Sequence, residues 1–223
     1  MDNSKIKAVA IDGPAGAGKS TVAKLVSEEL GYICVDTGAM YRAVGLYCLN
    51  NGISLKANDK IIEVMPNIDI SLEFEDGIQK IFLNGKDVTN EIRTQPVADA
   101  ASKVSAIPEV RLRLVEMQRK IAQKYKVVMD GRDIGTNVLK NAKTKIYLDA
   151  EVSERAKRRC KELERKGIHF DYDNIVKEIV ERDEYDKNRE VNPLTVAEDA
   201  VVIDTTHLTI EQVKNKIIDI ALR

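Results

Sequence analysis

Short runs of β-branched and other apolar residues recur along the chain, and each closes on an acid: AVAID at Asp12, YICVD at Asp36, KVVMD at Asp130, KIYLD at Asp149 and AVVID at Asp204. The runs are nearly continuous rather than alternating, which is the pattern of strands buried on both faces. Longer stretches of helical spacing separate them, so the chain reads as α/β: a five-stranded parallel sheet covered by helices on both faces. Helices are expected over 108–124, with Pro108 in the first turn, and over 151–166, 172–190 and 209–222. Ligands of open α/β sheets bind beyond the carboxyl ends of the strands, which places the five acids along the binding edge; roughly half should instead serve as helix caps.

Between residues 52 and 107 the pattern changes. Ile68, Ile70, Leu72 and Phe74 alternate with Asp69, Ser71 and Glu73, Asp76-Gly77 offers a hairpin turn, and Ile81 and Leu83 alternate before Asn84-Gly85. This predicts a small antiparallel meander with one buried face, followed by a short helix around 96–105. The expected organisation is a core of residues 1–51 and 108–223 interrupted by a subdomain over 52–107, which suits a length of 223 residues.

Gly13-Pro14-Ala15-Gly16-Ala17-Gly18-Lys19-Ser20 fits GxxxxGK(S/T), follows a strand and opens a helix with apolar Val22, Leu25, Val26 and Leu30. Glycines let successive backbone N–H groups turn inward around phosphate oxygens, and the following helix adds its positive end. Lys19 then neutralises the β and γ oxygens, Ser20 is placed to hold Mg²⁺ through its hydroxyl, and Thr21 to bond a phosphate from the first helical turn. The expected cofactor is a nucleoside triphosphate with magnesium.

Composition narrows the field. Lys and Arg number 35 against 36 Asp and Glu, aromatics are 4% and Trp is absent, so neither an electrostatic footprint for nucleic acid nor stacking platforms are evident. No stretch approaches the roughly 18 apolar residues of a membrane span, and the N-terminal apolar run is too short for a signal peptide; a cytoplasmic protein with no membrane partner is expected. Three scattered cysteines and two histidines predict neither disulfides nor a zinc site. No heptad or apolar stripe is left unassigned, so a monomer is expected.

The strands ending at Asp149 and Asp204 lack the guanine-reading NKxD that a regulatory GTPase needs. Arginines recur instead where a second phosphate could be held: Arg42 follows Asp36-Thr-Gly-Ala-Met-Tyr41, and Arg132 with Asp133 follows a strand in DGRD. In the helix beginning near Tyr172, the apolar line of Ile175 and Ile179 continues at helical steps through Arg182, Asp186 and Arg189. Facing the protein body, those charges must be paired or matched by a ligand; facing outward, they are ordinary surface pairs. Arg155-Ala-Lys-Arg158-Arg159 and Arg165-Lys-Gly-Ile-His169 form either an RNA-binding face or a lid of about residues 151–170. Glu151, Glu154, Glu162 and Glu164 dilute the basic face and favour the lid.

Taken together, AIDGPAGAGKST, DTGAMYR, NEIRTQPVADAASKVSAIPEVR, DGRDIGT and ERDEYDKNR make the chain resemble bacterial cytidylate kinases, the CMP/dCMP branch of the nucleoside monophosphate kinases, over essentially its whole length. The resemblance implies a P-loop NTPase core, an enlarged monophosphate-binding insertion, a short helical lid, and transfer of the ATP γ-phosphoryl to CMP or dCMP. It also implies that Thr37, Tyr41 and Arg42 border the monophosphate, that Arg132 and Arg182 hold its phosphate, and that Ser102, Arg111 and Asp133 read cytosine. Asp186 with Arg182 would take the sugar hydroxyls, and Arg158, Arg159 and Arg189 would contact ATP or the migrating charge. A P-loop switch or RNA-binding ATPase would instead show RNA-stimulated hydrolysis without nucleotide phosphorylation, and a kinase of UMP or shikimate would differ only in its acceptor.

Overall fold

The computed structural model describes residues 6–75 and 78–223. In chain order the elements are β1 (Ile6–Asp12), α1 (Lys19–Leu30), β2 (Ile33–Asp36), α2 (Thr37–Asn50), α3 (Asn58–Val64), β3 (Ile70–Glu75), β4 (Ile78–Leu83), β5 (Lys86–Asp87), α4 (Gln95–Val104), α5 (Pro108–Lys124), β6 (Val127–Asp130), β7 (Ala142–Asp149), α6 (Val152–Arg165), α7 (Tyr172–Asn188), β8 (Val201–Asp204) and α8 (Ile210–Leu222). All five acid-terminated runs are strands of one parallel sheet, ordered β2-β6-β1-β7-β8. By packing, the chain forms two compact units: residues up to Tyr32 together with Val127–Arg223, and Ile33–Lys126.

In the first unit β1 lies between β6 and β7. Ile11 stands opposite Asp130 on one side and Ile146 on the other, and Asp149 opposite Asp204, so Asp12, Asp130, Asp149 and Asp204 close their strands at one edge. Val9, Ala10 and Ile11 of β1 and Val127, Val128 and Met129 of β6 are fully buried, as continuous apolar runs require. The edge strand β8 differs: Val201 and Val202 are exposed. Helices α6 and α7 share a small core of Ala156, Cys160, Leu163, Ile175 and Ile179.

In the second unit β3, β4 and β5 form the antiparallel meander. Ile70 pairs with Leu83 and Leu72 with Ile81, so the alternating apolar positions share one face. The Asp76-Gly77 turn lies outside the described residues. That face joins Met40, Ala43 and Val44 of α2, Val97, Ala101 and Val104 of α4, and Val110 and Leu114 of α5 in one apolar cluster. Gly45 permits the close approach of α2 to α4, since a Cβ there would lie 2.9 Å from Ala100 Cβ. Arg113 donates to the carbonyls of Met65 and Ile68, closing the turn before the meander.

Candidate active site

The loop Gly13–Gly18 leaves the carboxyl end of β1 and opens α1. Gly13, Gly16 and Gly18 have φ of 144°, 77° and 89°, values that favour glycine. At Gly13 the requirement is also steric: a Cβ would lie 2.0 Å from the Leu148 carbonyl oxygen. Lys19 is buried, and its Nζ donates to the Pro14 carbonyl at 2.7 Å, folding back over the loop. Burial, and after it the nearby Arg132, push the Lys19 ammonium well below the ordinary lysine range. A bound polyphosphate would reverse that balance by adding negative charge.

Two strand-end acids brace this loop's surroundings. Asp130 accepts from the Ser20 hydroxyl at 2.7 Å. A hydroxyl that gives its proton to a buried carboxylate keeps its lone pairs for a hard cation, so Ser20 and Asp130 suit Mg²⁺. Among the described residues no cluster of three acid, histidine or cysteine ligands exists. Asp12 accepts from the backbone N–H groups of Ile134 and Gly135 at 2.8 and 2.7 Å, fixing the π-helical turn Ile134–Val138 that follows Arg132 and Asp133.

Asp12 is pushed up from 3.8 to about 6, chiefly by burial and against the pull of those two donors. A carboxyl raised on folding holds its proton more tightly in the folded than in the unfolded chain. Its ionisation therefore lowers stability as pH rises from about 4 to about 6 and has no further effect above that window. Carboxyl ¹³C NMR of the ligand-free protein should give Asp12 a midpoint near 6; a midpoint in the ordinary aspartate range would refute this assignment.

Helix α7 turns its apolar line into charge, as its sequence predicts. Ile175, Ile179, Asp186 and Arg189 are buried, and Asp183 is buried more deeply than Arg182. Arg132 Nε donates to Asp186 at 2.8 Å, Arg189 Nη2 to Asp133 at 3.3 Å, and Arg189 Nη1 lies 3.8 Å from Asp186. Burial alone would raise Asp186, but Arg132, then Arg182 and Arg189, hold it below the ordinary carboxylate range. Asp133 also accepts from Asn137 at 3.1 Å. Arg158 of α6 donates to the side chain and carbonyl of Thr205, beyond β8.

The second unit gathers its own residues. Asp36 caps α2 by accepting from Ala39 N–H, and it pairs with Arg93 at 3.0 Å and Arg42 at 3.7 Å. Burial opposes its charge, but Arg42 and Arg93 keep its carboxyl below the ordinary range. Arg111, only 1% exposed, lies over the Tyr41 ring at 5.5 Å and donates to the Ser105 carbonyl at 3.0 Å. Thr37 is buried in the first turn of α2, and Ser102 is partly buried on α4.

Comparison with known proteins decides what this constellation belongs to. The family model described as cytidylate kinase matches residues 9–223. The chain is 55% identical over 212 residues to a cytidylate kinase of Caldicellulosiruptor bescii, covering 95% of this chain and 94% of that one. It is 49% identical to the cytidylate kinase of Lactobacillus johnsonii, with 95% and 92% covered, and 48% identical to that of Bacillus subtilis, with 95% and 94% covered. The chain belongs to the cytidylate kinase family.

Within this family member the expected site residues divide between the units. Gly13–Thr21, Arg132, Asp133, Arg158, Arg182, Asp186 and Arg189 lie in the first, and Thr37, Tyr41, Arg42, Ser102 and Arg111 in the second. Four residues in these contacts had no individual role assigned from the sequence: Asp130, named there only among the strand-end acids, which holds Ser20; Arg93, which shares Asp36 with Arg42; Asp183; and Arg155, counted there only in the basic stretch of the lid. Asp130 could have been found as the acid closing the strand beside β1. Arg155 and Asp183 had no such local mark. Among the described residues no helix is long and apolar enough to cross a membrane.

Proposed function

We propose that the chain transfers the γ-phosphoryl group of ATP to CMP or dCMP, giving ADP and CDP or dCDP. The observation that carries the reading is a phosphate loop and a buried arginine–carboxylate network set at one sheet edge, in a member of the cytidylate kinase family. Loop amides and Lys19 take the β- and γ-phosphates of ATP, and Arg158 takes the donor side as well. Arg132 and Arg182 take the acceptor phosphate, Thr37, Tyr41 and Arg42 border the monophosphate, Asp186 and Arg182 take the sugar, and Arg189 the migrating charge. An acceptor phosphate oxygen attacks Pγ in line while the bond from Pγ to the β,γ-bridging oxygen breaks, so ADP leaves carrying that electron pair. Guanidinium groups offset the repulsion between the two anions, and a dianionic phosphate needs no general base. Ser20 and Asp130 would hold Mg²⁺, which supplies charge neutralisation across the phosphates.

Cytosine offers an amino donor beside the N3 acceptor, whereas uracil inverts that pattern, so a carboxylate with an arginine or hydroxyl discriminates between them. Asp133, Arg111 and Ser102 are assigned this reading. A coupled ADP assay over CMP, dCMP, UMP, AMP and shikimate tests the function. CMP and dCMP should be preferred, and Asp133→Ala should narrow the CMP:UMP ratio of kcat/KM by about tenfold or more. An unchanged ratio removes Asp133 from base reading. RNA-stimulated hydrolysis without a phosphorylated nucleotide would replace the kinase reading altogether.

A further inference from the structure

A phosphate loop works by pointing successive N–H groups at its ligand, and this forces its carbonyl groups outward, where each needs a donor of its own. Here Pro14 O accepts from Lys19 Nζ, but that ammonium must leave it to reach phosphate. Ala17 O is approached by the Thr205 hydroxyl at only 3.4 Å, because the single hydroxyl proton has a nearer acceptor, Asp149 O, at 2.9 Å. Ala15 O has a firmer partner, for it accepts from Arg155 Nη1 at 3.0 Å. Arg155 is 3% exposed, and its other nitrogens are committed as well: Nε donates to Ala150 O at 2.9 Å, and Nη2 lies 2.6 Å from Asp183 Oδ2. Asp183 is itself only 6% exposed and sits on α7 beside Arg182 and Asp186.

A cavity of about 270 Å³, bordered by Pro14, Tyr147, Arg155, Val180 and Asp183, adjoins the loop. The hydrogen bonds of Arg155 therefore hold the loop beside an opening. The Arg155 stem also lies against Gly16, where an added Cβ would come within 3.1 Å of Arg155 Cβ.

We propose that Arg155, oriented by Asp183, is a positioning residue that holds the phosphate loop with its amides turned toward the nucleotide, and so ties the loop to the helix bearing Arg182 and Asp186. The inference rests on the proposed function only in taking the loop as the ATP site. Its test measures the binding of MgATP and of CMP separately, by calorimetry, in the wild-type chain and in Arg155→Met, Arg155→Lys and Asp183→Asn, with thermal unfolding alongside. Arg155→Met and Asp183→Asn should each weaken MgATP by about tenfold or more, the loss expected for a hydrogen bond to a charged group, while CMP affinity stays within about twofold. Arg155→Lys should recover only part of the loss, since an ammonium cannot span three acceptors in the plane of a guanidinium.

Should Arg155→Met fail to fold, the near-isosteric Asp183→Asn decides. Wild-type MgATP affinity in that variant, or equal weakening of both ligands in step with a fall in Tm, overturns the proposal. The two readings fail separately. Wild-type chain that binds MgATP but forms no CDP sinks the acceptor assignment and leaves this one standing. Variants that bind MgATP normally and form CDP normally sink this one alone.

Discussion

Lys19→Ala loses phosphoryl transfer by about 10²–10³-fold in kcat while the chain remains folded, because a single preorganised donor to developing phosphate charge is worth about that much. Lys19 is buried at the head of α1 and hydrogen-bonded to the loop's own Pro14 carbonyl. Removing it frees that carbonyl and deletes a charge that burial already disfavours. Alanine is also the best helix former for the first turn of α1. Thermal unfolding should therefore move little while CDP formation collapses, and near-normal turnover in this variant would contradict the assignment of Lys19 to the phosphates.

Arg132→Met should damage stability and activity together, for different reasons. Arg132 bonds Asp186 at 2.8 Å, and both are largely buried. Deleting one partner of such a pair leaves an uncompensated charge and costs about 3–5 kcal/mol, softened here by Arg182 and Arg189 beside Asp186. The double variant Arg132→Met/Asp186→Leu should regain much of that stability, since an apolar pair can replace a buried ion pair. It should regain none of the activity if Arg132 holds the acceptor phosphate. Denaturant unfolding and kcat/KM for CMP, measured on both variants, separate the roles; recovery of turnover in the double variant would assign Arg132 a purely structural part.

The acids that end the strands show what a sequence can and cannot reveal. A common edge follows from the parallel pattern, and it is observed for Asp12, Asp130, Asp149 and Asp204. Their duties differ by partner: Asp12 holds Ile134 and Gly135, Asp130 holds Ser20, Asp36 caps α2, Asp149 accepts from Ala150 N–H and Asp204 from Thr206. Three of these bonds are local and readable as caps or turns. Those of Asp12 and Asp130 join residues more than a hundred positions apart, and no local pattern announces them. Helix α7 illustrates a second limit. From Ile179, both Arg182 and Asp183 continue an inward line, one at i+3 and the other at i+4, and periodicity alone does not choose between them. Packing buried Asp183, because Arg155 stands opposite.

Charge patterning failed for Arg155 in the same way. Counted with Arg158, Arg159 and Arg165 it belongs to a basic lid, yet its guanidinium is sealed beneath the phosphate loop rather than presented to solvent. The meander, by contrast, was legible with its buried face, because alternation fixes which side chains share a face, while its register is read from the structure. The same apolar cluster draws in α2 and α5, whose periodicity marks a buried face without saying which core it serves.

Phosphorus NMR of the purified chain with ATP, magnesium and CMP follows donor and acceptor at once. The expected result is loss of the γ-phosphate signal matched one for one by the β-phosphate signal of CDP beyond that of ADP, with inorganic phosphate staying at background. Release of inorganic phosphate while CMP persists unchanged would show that the γ-phosphoryl group goes to water, and the chain would not be the kinase described above.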